Sequence, residues 1–130
     1  MSPRTTRVLA GALLIFAGLV LAIEPRLARD ALGRHPVTPS DWMNLRASFG
    51  GTLLGLGAAL AWLPSVRPWR RAGLGLLGWA MAGIGAARLL GFFLDGSPDV
   101  RQWVWLIAEG LIVVLCVVLL RRGRAPAARA

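Results

Sequence analysis

Four apolar runs, at about residues 8–24, 45–63, 72–94 and 103–120, account for most of the chain. Each ends on residues that a membrane-crossing helix does not carry further. Glu24-Pro25 closes the first, Pro64 the second, Asp95-Gly96 with Pro98 the third, and Arg121-Arg122 the fourth. A crossing helix needs about 20 mostly apolar residues, because each residue rises about 1.5 Å through a hydrocarbon core about 30 Å thick. Backbone polar groups in lipid must be satisfied within their own segment, so runs of this length fold as helices. The composition agrees: 56% of residues are hydrophobic and the mean hydropathy is +0.62, above the roughly 45–50% apolar share of a soluble domain. The expected fold class is therefore all-α, an integral membrane four-helix bundle over residues 1–122. The Arg/Ala/Pro tail 123–130 has too little apolar surface to order. A signal peptide is the competing reading of the first run, since Arg4 and Arg7 precede it and Val20-Leu21-Ala22 resembles a cleavage site. An h-region is usually about 7–15 residues, however, and this run is longer.

The net charge of +9 is carried entirely by arginine. Nucleic-acid binding calls for a basic face on a folded soluble element, whereas these arginines flank apolar runs and so fix orientation in a membrane. Nine of them (Arg4, Arg7, Arg67, Arg70, Arg71, Arg121, Arg122, Arg124, Arg129) fall on the side of the two termini, against five (Arg26, Arg29, Arg34, Arg46, Arg101) on the other. Both termini are expected to be cytoplasmic, in a multi-pass protein of the cell's inner membrane, with an outer loop of about 20 residues between helices one and two. In that loop Pro36, Pro39 and Ser40-Asp41 predict an ordered stretch and a helix start with Ser40 or Asp41 as N-cap. Trp42, Trp62, Trp69, Trp103 and Trp105 lie near run ends, where aromatic anchors belong; Trp79 does not.

Helices in lipid associate by close backbone approach, so small residues mark their contact faces. Ala47, Gly51, Gly55 and Ala59 recur at every fourth position of the second run, as do Gly83, Ala87 and Gly91 of the third; Gly18 and Ala22 do so weakly in the first. Runs two and three are thus the expected packed centre. The bulky fourth run is expected to face lipid or a partner. A pore lining or homodimer face is the functional alternative for these glycines.

Arg88 and Glu109 are the ionisable residues set deepest in the apolar runs. Charge in hydrocarbon is costly and marks a site with a partner. Each lies six residues from the outer end of its helix, hence about 9 Å deep, so two antiparallel helices bring opposite charges to one level. Arg46, Asp95 and Glu24 lie at outer ends of their runs and are expected to join the same polar cluster. The pair either locks two helices together or opens as a pocket for an anion or proton.

Signs of familiar catalysis are missing. His35 lies in a loop before Pro36, Cys116 sits in an apolar stretch, and no metal-ligand spacing or phosphate loop is present. Neither a cofactor nor a metal is expected. The stretches Asn44-Leu45-Arg46-Ala47-Ser48-Phe49-Gly50-Gly51, Leu54-Gly55-Leu56-Gly57, Arg88-Leu89-Leu90-Gly91, Asp95-Gly96-Ser97-Pro98 and Glu109 resemble a bacterial four-span membrane family, domain of unknown function 4345, over most of the chain. The resemblance implies a small four-helix membrane protein and assigns no activity.

The leading expectation is a non-enzymatic accessory or scaffold protein whose partners are the lipid bilayer and a homo-oligomer or larger membrane complex. The alternative is a small carrier or ligand-binding protein with Glu109 as proton site and Arg88 as anion site. Small four-helix multidrug exporters carry their essential carboxylate in the first span, where residues 8–23 have none.

Overall fold

The computed structural model describes residues 2–62 and 69–122. The expectations for Pro64, Arg67 and the tail 123–130 lie outside them. The chain is all-α, with no strand among the described residues. Its helices are α1 (Pro3–Ile23), α2 (Arg26–Leu32), α3 (Pro39–Leu45), a π-turn (Arg46–Gly51), α4 (Thr52–Trp62), α5 (Trp69–Leu94) and α6 (Val100–Arg122). Within α1, α5 and α6, the stretches Arg4–Ile23, Arg71–Leu94 and Val100–Arg122 are long and apolar enough to cross a membrane. The second predicted run instead forms the later part of a helical segment that starts at Pro39 and continues through the π-turn into α4 without a break.

That segment begins six residues before its apolar run. Thr38, not Ser40 or Asp41, is its N-cap: the Thr38 side chain accepts from the Asp41 N–H, and the Asp41 side chain accepts from the Thr38 N–H at 2.9 Å. This reciprocal arrangement satisfies two backbone donors that the first turn leaves open, and Pro39 at the first helical position has no donor to satisfy. The connection before it holds α2, where the sequence predicts only loop. Gly33 ends α2 in the left-handed region at φ 61°, where a residue without Cβ is at ease.

Principal contacts join neighbours in chain order: α1 to α4 and the π-turn, α5 to the same two and to α6. The helices stand in a row, with the central segment between α1 and α5 and with α6 beyond α5. Two glycine faces on the central segment explain it. A Cβ on Gly51 would lie 2.6 Å from the Cα of Ile84, and one on Gly55 would lie 2.6 Å from the Cα of Ala80. On the other side, a Cβ on Gly57 would meet the Gly11 oxygen at 2.7 Å, and one on Gly50 would meet the Cα of Ala22 at 2.7 Å. Backbone thus touches backbone on both flanks, as small-residue packing in lipid requires. Gly51, Gly55 and Gly83 meet neighbouring backbone, and Ala59 and Ala87 are buried; the second face sets Gly50 and Gly57 against Gly11, Gly18 and Ala22 of α1.

Both faces run from the π-turn into α4. One extra residue in a helical turn rotates the downstream helix by about 100° relative to a continuous α-helix. By contrast α6 packs mainly on α5, with a smaller contact to α3, and has one buried stripe, Gln102, Glu109 and Cys116, at seven-residue intervals. Its remaining bulk is exposed, with Trp103, Val104, Trp105, Ile107 and Leu111 all accessible. The free thiol of Cys116 is buried against Gly78. Trp79 stacks on Trp62 with ring centroids 5.9 Å apart, so its place away from the run ends reflects packing.

Candidate functional site

Arg46 and Arg88 are both buried, and each is held by a different carboxylate. The single cluster expected from the sequence is two clasps. Arg88, on α5, donates from Nε to both oxygens of Glu109 on α6, at 3.1 and 3.2 Å, and from Nη2 to Glu109 Oε1 at 2.8 Å. Its Nη1 donates to Asn44 Oδ1 on α3 at 2.9 Å and to Gln102 Oε1 on α6. Gln102 in turn donates from Nε2 to the Ser40 carbonyl at 3.2 Å. The first clasp therefore ties α5 to α6 and both to the start of the central segment.

Arg46 opens the π-turn and reaches the other way. Its Nε and Nη2 donate to Asp95 Oδ2 and Oδ1 at 2.7 and 2.8 Å, the parallel two-bond geometry that favours Arg–carboxylate pairs. Its Nη1 donates to the carbonyls of Ala22 and of Ile23, the latter at 2.8 Å. Those carbonyls lie in the last turn of α1, where no helical N–H remains to bond them and a cation is favoured. Gly91 makes room for the clasp. A Cβ there would stand 3.0 Å from Met43 Cγ and 3.2 Å from Asp95 Oδ2.

Asp95→Asn is expected to lower stability by about 1.5–3 kcal/mol, the worth of hydrogen bonds to a charged group. Arg46→Met should cost more, because it also strips the carbonyls of α1 and leaves Asp95 alone. Unfolding of both variants in the same detergent measures the order.

Each guanidinium has five N–H groups, and in both residues four of them meet acceptors of the chain itself. Glu24 does not join either clasp. It is half exposed, 3.7 Å from Arg26, at the rim of a recess of about 530 Å³ that Arg46 and Asp95 also line. Asn44, Ser40 and Gln102 are site residues that depth and charge alone do not pick out. Gln102 lies seven residues before Glu109, and that interval could have found it.

A larger cleft of about 750 Å³ opens over α5 between the central segment and α6. Arg88 and Glu109 lie on its wall, with Phe49, Ile84, Met81 and Ile112. His35 and Arg34 lie at the same cleft. Among the described residues no group of three or more His, Cys, Asp or Glu is placed to hold a metal ion.

Outside the apolar stretches, backbone donors depress two carboxyls. The Thr38 N–H, with the Thr38 hydroxyl and the Val37 N–H, holds Asp41 below its ordinary 3.8. The Gln102 N–H, aided by Arg101 and Ser40, does the same for Asp99. A depressed folded-state value means stability that is fully present above the ordinary value and lost as pH falls through the depressed one. Thermal unfolding midpoints should therefore drop below about pH 4, and Asp41→Ala with Asp99→Ala should flatten that acid limb.

No curated protein and no solved structure matches the chain. The family model described as "Domain of unknown function (DUF4345)" matches residues 4–120, a stretch that takes in both clasps and reaches into every helix from α1 to α6. The chain belongs to the DUF4345 family.

Proposed function

We propose that the chain is a four-span integral membrane protein of accessory or scaffold type, non-enzymatic, with both termini cytoplasmic and the two arginine clasps as its architectural layer. The observation that carries this reading is that four of the five N–H groups of Arg46 and of Arg88 meet acceptors from α1, α3, α6 and Asp95 just beyond α5. A guanidinium poised for substrate keeps donors aimed at open space; these are spent on helix–helix bonds. Buried charges are tolerable when paired and hydrogen-bonded, and here each pair stands where helices meet. The fourth span is the central segment, whose apolar part would cross as one helix with the π-turn inside it. Three features support that placement: glycine contact with α1 and α5 on both flanks, arginine-rich residues on one side of the runs, and Trp103 and Trp105 exposed near the start of α6.

Reconstitution separates this reading from a carrier that cycles a proton on Glu109. Purified protein in vesicles is expected to pass neither protons nor ions above protein-free controls across pH and salt gradients. Flux that vanished with Glu109→Gln would overturn the scaffold reading and establish the carrier.

A further inference from the structure

The large cleft has a layout that the clasps do not use. Three rows of side chains descend along it together: Asn44, Ser48 and Thr52 from the central segment, Arg88, Ile84 and Met81 from α5, and Trp105, Glu109 and Ile112 from α6. Arg34, His35 and Asp41 lie at the end where the connection after α2 joins the cleft. The charged groups gather toward that end, and Met81 and Ile112 lie away from it. The volume falls within the roughly 300–1,000 Å³ of small-molecule sites, which are mostly apolar with a few convergent polar groups.

The mouth carries the Arg34 guanidinium and the Asp41 carboxylate. In the connection, Arg26 is matched by Glu24 and Arg29 by Asp30. The Asp41 carboxylate is occupied by the N–H groups of Val37 and Thr38. Arg34 is exposed and, among the described residues, has no carboxylate partner. Arg88 is spent on Glu109, Asn44 and Gln102, so an anion at this cleft would be received at its mouth and not at its buried arginine. Below, the hydroxyls of Ser48 and Thr52 line the wall with no hydrogen bond to another side chain among the described residues, a match for ester oxygens.

We infer that the cleft is a binding site for one anionic phospholipid, its phosphate at Arg34 and His35, its ester region beside Ser48, and one acyl chain along Phe49, Ile84, Met81 and Ile112. Arg suits phosphate through its planar donor fork, and the interface is where a lipid phosphate stands when its chains enter the hydrocarbon. The inference rests on the membrane reading but not on the role of the clasps, since Arg34 and His35 belong to neither.

The test is native mass spectrometry of the detergent-solubilised protein, titrated with phosphatidylglycerol or with phosphatidylcholine of the same chains. The wild type should retain one phosphatidylglycerol in preference to phosphatidylcholine, by about fivefold or more, the worth of one basic residue near an anionic lipid. Arg34→Gln/His35→Gln should bring the two lipids level, with an unfolding midpoint unchanged because both residues are exposed. Ala108→Trp, which fills the cleft from α6, should lower retention of both lipids. Equal retention of the two by the wild type would overturn the proposal. So would a preference that survives Arg34→Gln/His35→Gln, or uptake of several lipids with no step at one. None of these outcomes touches the clasps, whose architectural role is read from unfolding energetics.

Discussion

Arg88→Met and Glu109→Met are each expected to destabilise the protein by about 3–5 kcal/mol, whereas the double variant should recover a large part of that loss. The reason lies in burial and partners. Both side chains are more than nine-tenths buried, at 6% and 7% exposure, and each is the other's counter-ion. Removing one leaves a charge in an apolar wall without compensation. Removing both leaves only Asn44 and Gln102 short of a donor, a neutral hydrogen-bond loss of about 1 kcal/mol each. The interaction term of the cycle, measured by equilibrium unfolding in one detergent, should therefore be at least about 2 kcal/mol. Since whole domains are stable by about 5–15 kcal/mol, either single change removes much of the margin. A double variant as unstable as the singles would mean that the pair does not organise the helices.

Gly55→Ala and Gly83→Ala are the second large effect, about 3 kcal/mol or more, at or beyond the upper end of ordinary overpacking. One added methyl is small, but here it has nowhere to go. On Gly83 it would meet the Gly51 oxygen, the Gly55 nitrogen and, at 2.7 Å, the Gly55 Cα; on Gly55 it would meet the Trp79 oxygen and the Ala80 Cα. These are backbone atoms of two crossing helices. They cannot rotate away, so α4 and α5 must separate along the whole contact. Gly73 and Gly110 supply the control. Each lies within a helix with open space around its added Cβ, so alanine there should stabilise by about 0.5–1 kcal/mol through helix propensity. Opposite signs for the two pairs of variants would show that close approach, and not glycine content, holds the centre.

Much of this architecture is legible in the residues. Run lengths give the apolar helices, and the four-residue recurrence of Gly51, Gly55, Gly83 and Ala87 gives the central contact. The Arg88–Glu109 pair comes from matched depth alone, because two charges at one level of adjacent antiparallel helices have few alternatives. Arg46 is harder. It lies near both Glu24 and Asp95 in the linear reading, and its choice of Asp95 depends on Gly91 clearing the path and on the last carbonyls of α1 being within reach. Depth says nothing of either. The π-turn is not written in propensity, although Gly50 and Gly51, which meet α1 and α5, both lie in it. The Thr38–Asp41 cap, by contrast, is readable. Thr-Pro-Ser-Asp carries both the hydroxyl and the carboxylate at the interval a capping box needs, and Ser40 and Asp41, both good caps themselves, mask it.

The segment from Pro39 through the π-turn to Trp62 should cross the bilayer together with α1, α5 and α6, which are long and apolar enough to do so, and on that crossing the four-span architecture depends. Two single cysteines, Ala31→Cys in α2 and Ser97→Cys between α5 and α6, each in a Cys116→Ala background, test it in intact cells with a membrane-impermeant thiol reagent. Both positions are exposed. If the segment crosses, the two sites lie on one side, and both should label without permeabilisation. Labelling of one before permeabilisation and of the other only after it would place them on opposite sides, leaving three crossings and contradicting the four-span protein.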